Sequence, residues 1–153
     1  MDVYSKEKRS DVMSRIKSEN TGPEVRLQTL LSVNEIPYET HAKDLPGTPD
    51  LYIREANIAV FVDGDFWHGK SYPPMKPMDA YWSAKIESNM KRDIIVNKKL
   101  KHMGVKVMRI WEADIKKRPA ECVMKIHRAY VRAKIYKGKE RHESEEAVYR
   151  LQG

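Results

Sequence analysis

Ile58 to Val62 reads IAVFV, a continuous apolar run rich in β-branched residues and too short for a helix of useful length, which is what a buried strand requires. Gly64 breaks it, so the residues after Asp63 leave the sheet on a loop at its edge. The full stretch from Val60 to His68, VFVDGDFWH, thus sets acidic residues, an aromatic pair and a histidine at one strand end. Carboxylates placed there can hold a hard cation through oxygen, and a nearby imidazole can take a proton from water. Phe66 and Trp67 are costly to expose unless something flat covers them, and a stack of bases would do so. The combination points to a nuclease site.

The rest of the chain must supply a scaffold and a polyanion-binding surface. With 153 residues and 41% hydrophobic content, a single globular domain over 1–153 with a core of its own is expected. A formal net charge of +7 and a pI near 9.4, with cations spread from Lys6 to Arg150, favour nucleic acid over membrane as partner. A basic protein with no such partner is the alternative. Cys122 is the sole cysteine, which excludes a disulfide framework and a cysteine-rich zinc site and fits a reducing cytoplasm, with the protein at the nucleoid. The N-terminus MDVYSKEKRSDVM has no apolar signal region and no long uncharged apolar run follows, so neither secretion nor membrane spanning is expected.

Residues 5–18 read as a short basic helix or arm, with Val12, Met13 and Ile16 at roughly helical spacing. Thr21 and Glu24 stand in capping-box spacing around Pro23, and Leu27, Leu30 and Leu31 follow, which predicts a helix over 23–34. Ile36 to His41 reads as a first strand, and DLPGTP at 44–49 as a loop. Leu51–Arg54 and Ile58–Val62 read as an antiparallel hairpin joined near Glu55 and Ala56. Placing Arg54 opposite Asn57 sets Asp50 across from Phe61, so Asp50 and Asp63 fall at the same end of the sheet. Residues 69–78 are irregular, and 79–103 form the longest helix, with Trp82, Ile86, Met90 and Ile94 on one face and Gly104 as its stop. Val105–Trp111 is another buried strand, Pro119–Tyr136 a basic amphipathic helix, and 137–153 a polar tail.

Each candidate residue has a competing structural reading. Asp50, after Pro49 at a strand mouth, suits a Mg²⁺ ligand or a turn-forming aspartate. Asp63 and Asp65 share the spacing of one strand side, although Gly64 can turn them apart. Glu24 shares the helical face of Leu27 and Leu31 and points toward the core, where it needs a partner, or else it satisfies a capping box. His68 suits a general base, imidazole titrating near neutrality, or a structural role beside two aromatics. Lys85, Asn89 and Arg92 make a polar helix stripe able to meet phosphates or base edges, or a solvated face.

Taken in order, RSDVMSRI at 9–16, PE at 23–24, DLPGTPD at 44–50, FVDGDFWHG at 61–69, YWSAKIESNMKRD at 81–93 and IWE at 110–112 resemble the very short patch repair (Vsr-like) endonuclease family. This is a branch of the restriction-endonuclease-like nucleases, and the match covers most of residues 5–115. The resemblance implies an α/β fold with a central mixed sheet flanked by helices. It also implies hydrolysis of one strand of double-stranded DNA beside a T:G mismatch, with Mg²⁺ (or Mn²⁺) as cofactor. Asp50 matches the family's metal-binding aspartate, the backbone carbonyl of Val62 a second metal contact, His68 the water-activating histidine and Glu24 a supporting acid. Phe66, Trp67 and Met13 match residues that wedge into the duplex. Lys85 and Asn89 match helix positions that face the mismatched pair, and Arg92 is favoured for phosphate contact.

Two departures from the family pattern carry expectations of their own. Asp63 stands where the family has a second active-site histidine, and so offers another carboxylate to a metal. Asp65, Lys70, Tyr72 and Ala113 stand where mismatch-repair members carry zinc ligands, so no structural zinc is expected. Two alternatives to mismatch nicking stay open: a sequence-directed restriction or mobile-element endonuclease acting on intact duplex, and a DNA-binding module without catalysis. A repair or recombination partner is likewise left open. Elemental analysis of the purified protein should find no stoichiometric zinc, and one tightly held zinc per chain would contradict this reading of the 63–72 loop.

Overall fold

The computed structural model describes residues 20–74 and 76–151, apart from the side chains of 149 and 151. Met13 and the basic arm therefore lie outside the described residues.

The first helix, α1 (Gly22–Val33), starts as the capping pattern requires: the Thr21 hydroxyl accepts from the Glu24 N–H at 3.4 Å. It closes on Glu35, whose φ of +56° lets its own N–H reach Ser32 O and that of Ile36 reach Leu31 O. That closure, followed by Pro37, uses up the segment expected to open the first strand. As a result β1 is only Glu39–Thr40, and Ile36 packs into the core from the connection instead.

β2 (Leu51–Ile53) and β3 (Ile58–Asp63) form the expected hairpin, joined by a single 3-10 turn, Arg54–Ala56, with Asn57 in the left-handed region. Ile53 pairs with Ile58 and Leu51 with Val60, the register read from the sequence. The helix α2 (Ala80–His102) then crosses over to β4 (Lys106–Trp111), which runs parallel to β3. The sheet order is β1-β2-β3-β4, with β1/β2 and β2/β3 antiparallel. Two further helices, α3 (Glu112–Lys117) and α4 (Pro119–Leu151), complete the chain. No helix among the described residues is long and apolar enough to cross a membrane.

Helices cover both faces of the sheet, and this is why β3 is apolar without alternation. Ile58, Val60 and Val62 pack with Leu27 and Leu31 of α1 and Ile126 of α4. Ala59 and Phe61 point the other way, into a cluster with Tyr52 and Leu100 of α2. Asp63, next in the alternation, emerges on the α2 side.

Three further sequence expectations change. Ile94 is 54% exposed, because the buried stripe of α2 follows the true helical period through Trp82, Ile86, Asp93, Asn97 and Leu100. β4 is a half-buried edge strand in which only Ile110 is fully enclosed, since β3 is its sole neighbour in the sheet. Finally, α4 does not stop at Tyr136 but runs on to Leu151. No proline interrupts it, the Tyr130 hydroxyl donates to Glu55, and Lys137 Nζ reaches Glu55 O at 2.6 Å.

The corrected face of α2 is testable by urea unfolding. Ile86→Ala should cost about 2 to 5 kcal/mol, whereas Ile94→Ala should stay within about 0.5 kcal/mol.

Candidate active site

The hairpin register carries Asp50, one residue before β2, to the end of β3, where the Val62 N–H donates to Asp50 Oδ2 at 2.7 Å. Burial pushes the Asp50 carboxyl up to about 7, with the nearby charges of Glu24 and Asp63 adding to the effect and the Val62 N–H and His41 opposing it. Glu24 lies buried on the inner face of α1. It accepts from the Asn20 N–H at 2.8 Å, a backbone amide at the helix start, and faces His41 Nε2 at 3.4 Å. Asp50, Glu24 and His41 each bring a ligand atom within 4.8 Å of the others. Two carboxylates and an imidazole form a donor set suited to a divalent cation. The Val62 carbonyl belongs to the same strand end, and Val62 lines the same cavity.

A second group lies on the α2 side. His68 Nδ1 is 2.6 Å from Asp93 Oδ2 and 3.7 Å from Asp63 Oδ1. Arg109 of β4 donates to both oxygens of Asp63, at 3.0 and 3.1 Å, and lies 3.3 Å from Asp93 Oδ1. Its Nε donates to Asn97 Oδ1 at 2.8 Å, and its guanidinium carbon sits 4.2 Å from the Phe61 ring centre. Burial raises the Asp63 pKa, against the pull of His68 and Arg109.

Both groups line one cavity of about 970 Å³, together with Trp67, Arg92 and Glu112. The loop leading to it is held by close backbone approach. Gly69 has φ +73°, and a Cβ there would meet Met90 Sδ at 2.5 Å. The Asn89 amide donates to Trp67 O at 3.0 Å, so this residue braces the aromatic loop. Phe66 is 46% exposed and meets Trp67 edge-on at 4.8 Å, while Trp67 leans on the buried Trp82 at 5.6 Å. Arg92 is exposed on the cavity wall. Lys85, two turns earlier on α2, is half-buried and outside that lining. Gly64 does turn Asp63 and Asp65 apart: Asp65 accepts from the Ala113 N–H at 3.4 Å and pairs with Lys70 at 3.9 Å, and Lys70 also reaches Asp114 at 3.8 Å. The Tyr72 hydroxyl donates to Glu87.

His41, Asp93 and Arg109 were not singled out from the sequence. Two of them leave a trace there. Asp93, like Asn97, interrupts the core-facing stripe of α2, and Arg109 is a cation inside the apolar strand VMRIW; both are polar residues at positions that burial makes costly unless paired. His41 has no such mark, since it enters the site through a bend at φ +48° whose N–H bonds to Asp50 O at 3.1 Å.

The chain matches a family model described as DNA mismatch endonuclease Vsr over residues 1–73. It is 35% identical over 133 residues to the type II nicking enzyme V.NmeDIP of Neisseria meningitidis serogroup C, covering 84% of this chain and 90% of that one. It is 31% identical over 120 residues to the DNA mismatch endonuclease Vsr of Escherichia coli strain K12, covering 76% and 77% respectively. Among solved structures, the homing endonuclease I-Bth0305I catalytic domain superposes with a TM-score of 0.53 at 19% identity, over 74% of this chain and 98% of that one. The fold is therefore restriction-endonuclease-like.

The raised Asp50 pKa predicts a pH-dependent fold in the absence of metal. Between about pH 4, where an unfolded aspartate ionises, and about 7, the folded protein holds a proton that the unfolded chain has released. The contribution of Asp50 to stability therefore falls as pH rises through that window and then levels off. Asp50→Asn keeps an acceptor for Val62 N–H and removes the titration. In urea unfolding with EDTA it should gain on the parent protein steadily from pH 4 to 7, and parallel curves would show that Asp50 ionises normally.

Proposed function

The chain belongs to the Vsr endonuclease family and is a DNA endonuclease, and from that premise we propose that it nicks duplex DNA beside a mismatch in a reaction that depends on Mg²⁺ or Mn²⁺. The observation carrying this reading is that Asp50 and the Asp93-tied His68 line one cavity together with Trp67, whose ring meets the partly exposed Phe66 just outside that lining.

Asp50, Glu24 and His41, with the Val62 carbonyl beside them, are the groups that would hold the cation. A bound divalent ion supplies Lewis-acid polarisation of the phosphodiester and offsets the negative charge that builds as the scissile bond breaks. The protein's own part is proton transfer and positioning. With Nδ1–H donated to the Asp93 carboxylate, His68 keeps the Nε2 lone pair for a water proton. The water oxygen bonds to phosphorus as the bond from phosphorus to a sugar oxygen breaks. Arg92 and Lys43 on the cavity wall offer cations to flanking phosphates, with salt-dependent binding as the consequence. Phe66 and Trp67 insert at a base step. Unstacking costs a few kcal/mol per step, and a mispaired step resists less, which is a physical reason for mismatch preference.

Sequence-directed nicking of intact duplex is the second reading, favoured by the likeness to a type II nicking enzyme. Plasmids with and without a single T:G mismatch, incubated with Mg²⁺ or EDTA, separate the two. Nicking confined to the mismatched plasmid supports the first reading, and equal cutting of both defeats it. Asp50→Ala should abolish metal-dependent cleavage and leave duplex binding largely intact, whereas near-normal turnover would remove Asp50 from the site. His68→Ala should lose about 10²- to 10⁴-fold in rate, and an unchanged rate across neutral pH would exclude it as base.

A further inference from the structure

The cavity contains two groups of potential metal ligands, Glu24–His41–Asp50 and Asp63–His68–Asp93, and within each the ligand atoms lie within 4.8 Å of one another. Their electrostatic states differ. In the second group every carboxylate oxygen is already met: Arg109 donates to both Asp63 oxygens and pairs with Asp93 Oδ1, and His68 Nδ1 meets Asp93 Oδ2. The guanidinium is tethered from other sides as well: Nε is bonded to Asn97 Oδ1 and its face lies on Phe61. In the first group, among the described residues no donor meets Asp50 Oδ1 or Glu24 Oε1 and no arginine or lysine is paired with either acid.

We infer that the Arg109 guanidinium fills the place of a second cation, so that the protein holds one divalent ion, at Glu24, His41 and Asp50, and none at Asp63, His68 and Asp93. This rests on the metal-dependent reading given above and makes it more specific. Arg109 is a positioning residue: it stays on Asp63 and Asp93 and thereby keeps Asp93 in place to orient His68. A guanidinium suits this task because its planar fork meets two carboxylates at once and keeps its charge at any working pH. A second divalent ion would have to displace a tethered charge from oxygens it already occupies.

The test counts Mn²⁺ bound to the full chain by electron paramagnetic resonance of the free ion. The parent protein should bind one Mn²⁺, Asp63→Asn should leave that count unchanged, Arg109→Ala should admit a second ion, and Arg109→Lys should keep the count at one. Two ions on the parent protein, loss of the ion in Asp63→Asn, or a folded Arg109→Ala that still binds one would overturn the inference. If Arg109→Ala does not fold, the counts for the parent protein and Asp63→Asn decide the matter. A parent protein that binds no Mn²⁺, or an ion that survives Asp50→Asn, sinks the metal reading itself and this inference with it. Two ions, with cleavage still dependent on Asp50, leaves the reading standing and removes only the inference.

Discussion

Asp63 is a carboxylate only 4% exposed at the end of a strand enclosed on both faces, and the surrounding fold is arranged so that a cation reaches it. That cation is Arg109, delivered by the parallel pairing of β4 with β3 that sets Arg109 opposite Phe61. A buried charge without a partner is strongly disfavoured, so the ion pair adds to the apolar contacts in fixing the register of the edge strand β4 on β3. The same guanidinium reaches Asp93 and Asn97, tying α2 to the sheet at the point where the helix turns from apolar to polar on its inner face. His68 hangs from this frame through Asp93.

The opposite wall of the cavity is built on another principle. Asp50 and Glu24 have backbone N–H donors and a histidine for company, but no arginine or lysine among the described residues, and burial pushes the Asp50 pKa up to about 7. Such a pair carries an unfavourable self-energy in the metal-free protein, which a bound divalent cation would relieve. Burial therefore works against an ionised Asp50, whereas at Asp63 it is offset by the Arg109 pair. The loops on both sides come close enough to shape the cavity because they use glycine at tight approaches. Gly47, at φ +73°, passes within 2.5 Å of Val96 Cγ1 measured from an added Cβ, and Gly69 does the same beside Met90.

Much of this was legible in the residues. The apolar run of β3, the capping pair Thr21 and Glu24, the hairpin register and the convergence of Asp50 with Asp63 follow from period, turn chemistry and pairing geometry, all of which are local. The motif likeness reached the endonuclease family from the same segments. Local pattern does not reach a residue whose environment depends on a distant element. Ile94 fits an apolar stripe drawn at four-residue steps, but the helix advances by 3.6, and over three turns the stripe drifts away from it. Ile36 is apolar enough for a strand, yet the cap of α1 and Pro37 claim its neighbourhood. The residues after Tyr136 look too polar to hold a helix, and contacts with Glu55 from another part of the chain help to anchor it.

By itself the sequence determined the elements, the paired strand ends and the chemical inventory of the site, because these depend on neighbours within a few residues or on one hairpin register. Only the tertiary structure decided how that inventory divides. His41 comes to Glu24 across seventeen residues, Asp93 to His68 across twenty-five, and Arg109 to Asp63 across forty-six. The first follows from where α1 docks against the bend before β2, the other two from where the crossover helix and the last strand dock, and no local pattern encodes any of them. Among the described residues they leave one acidic group with a histidine and give the other an arginine.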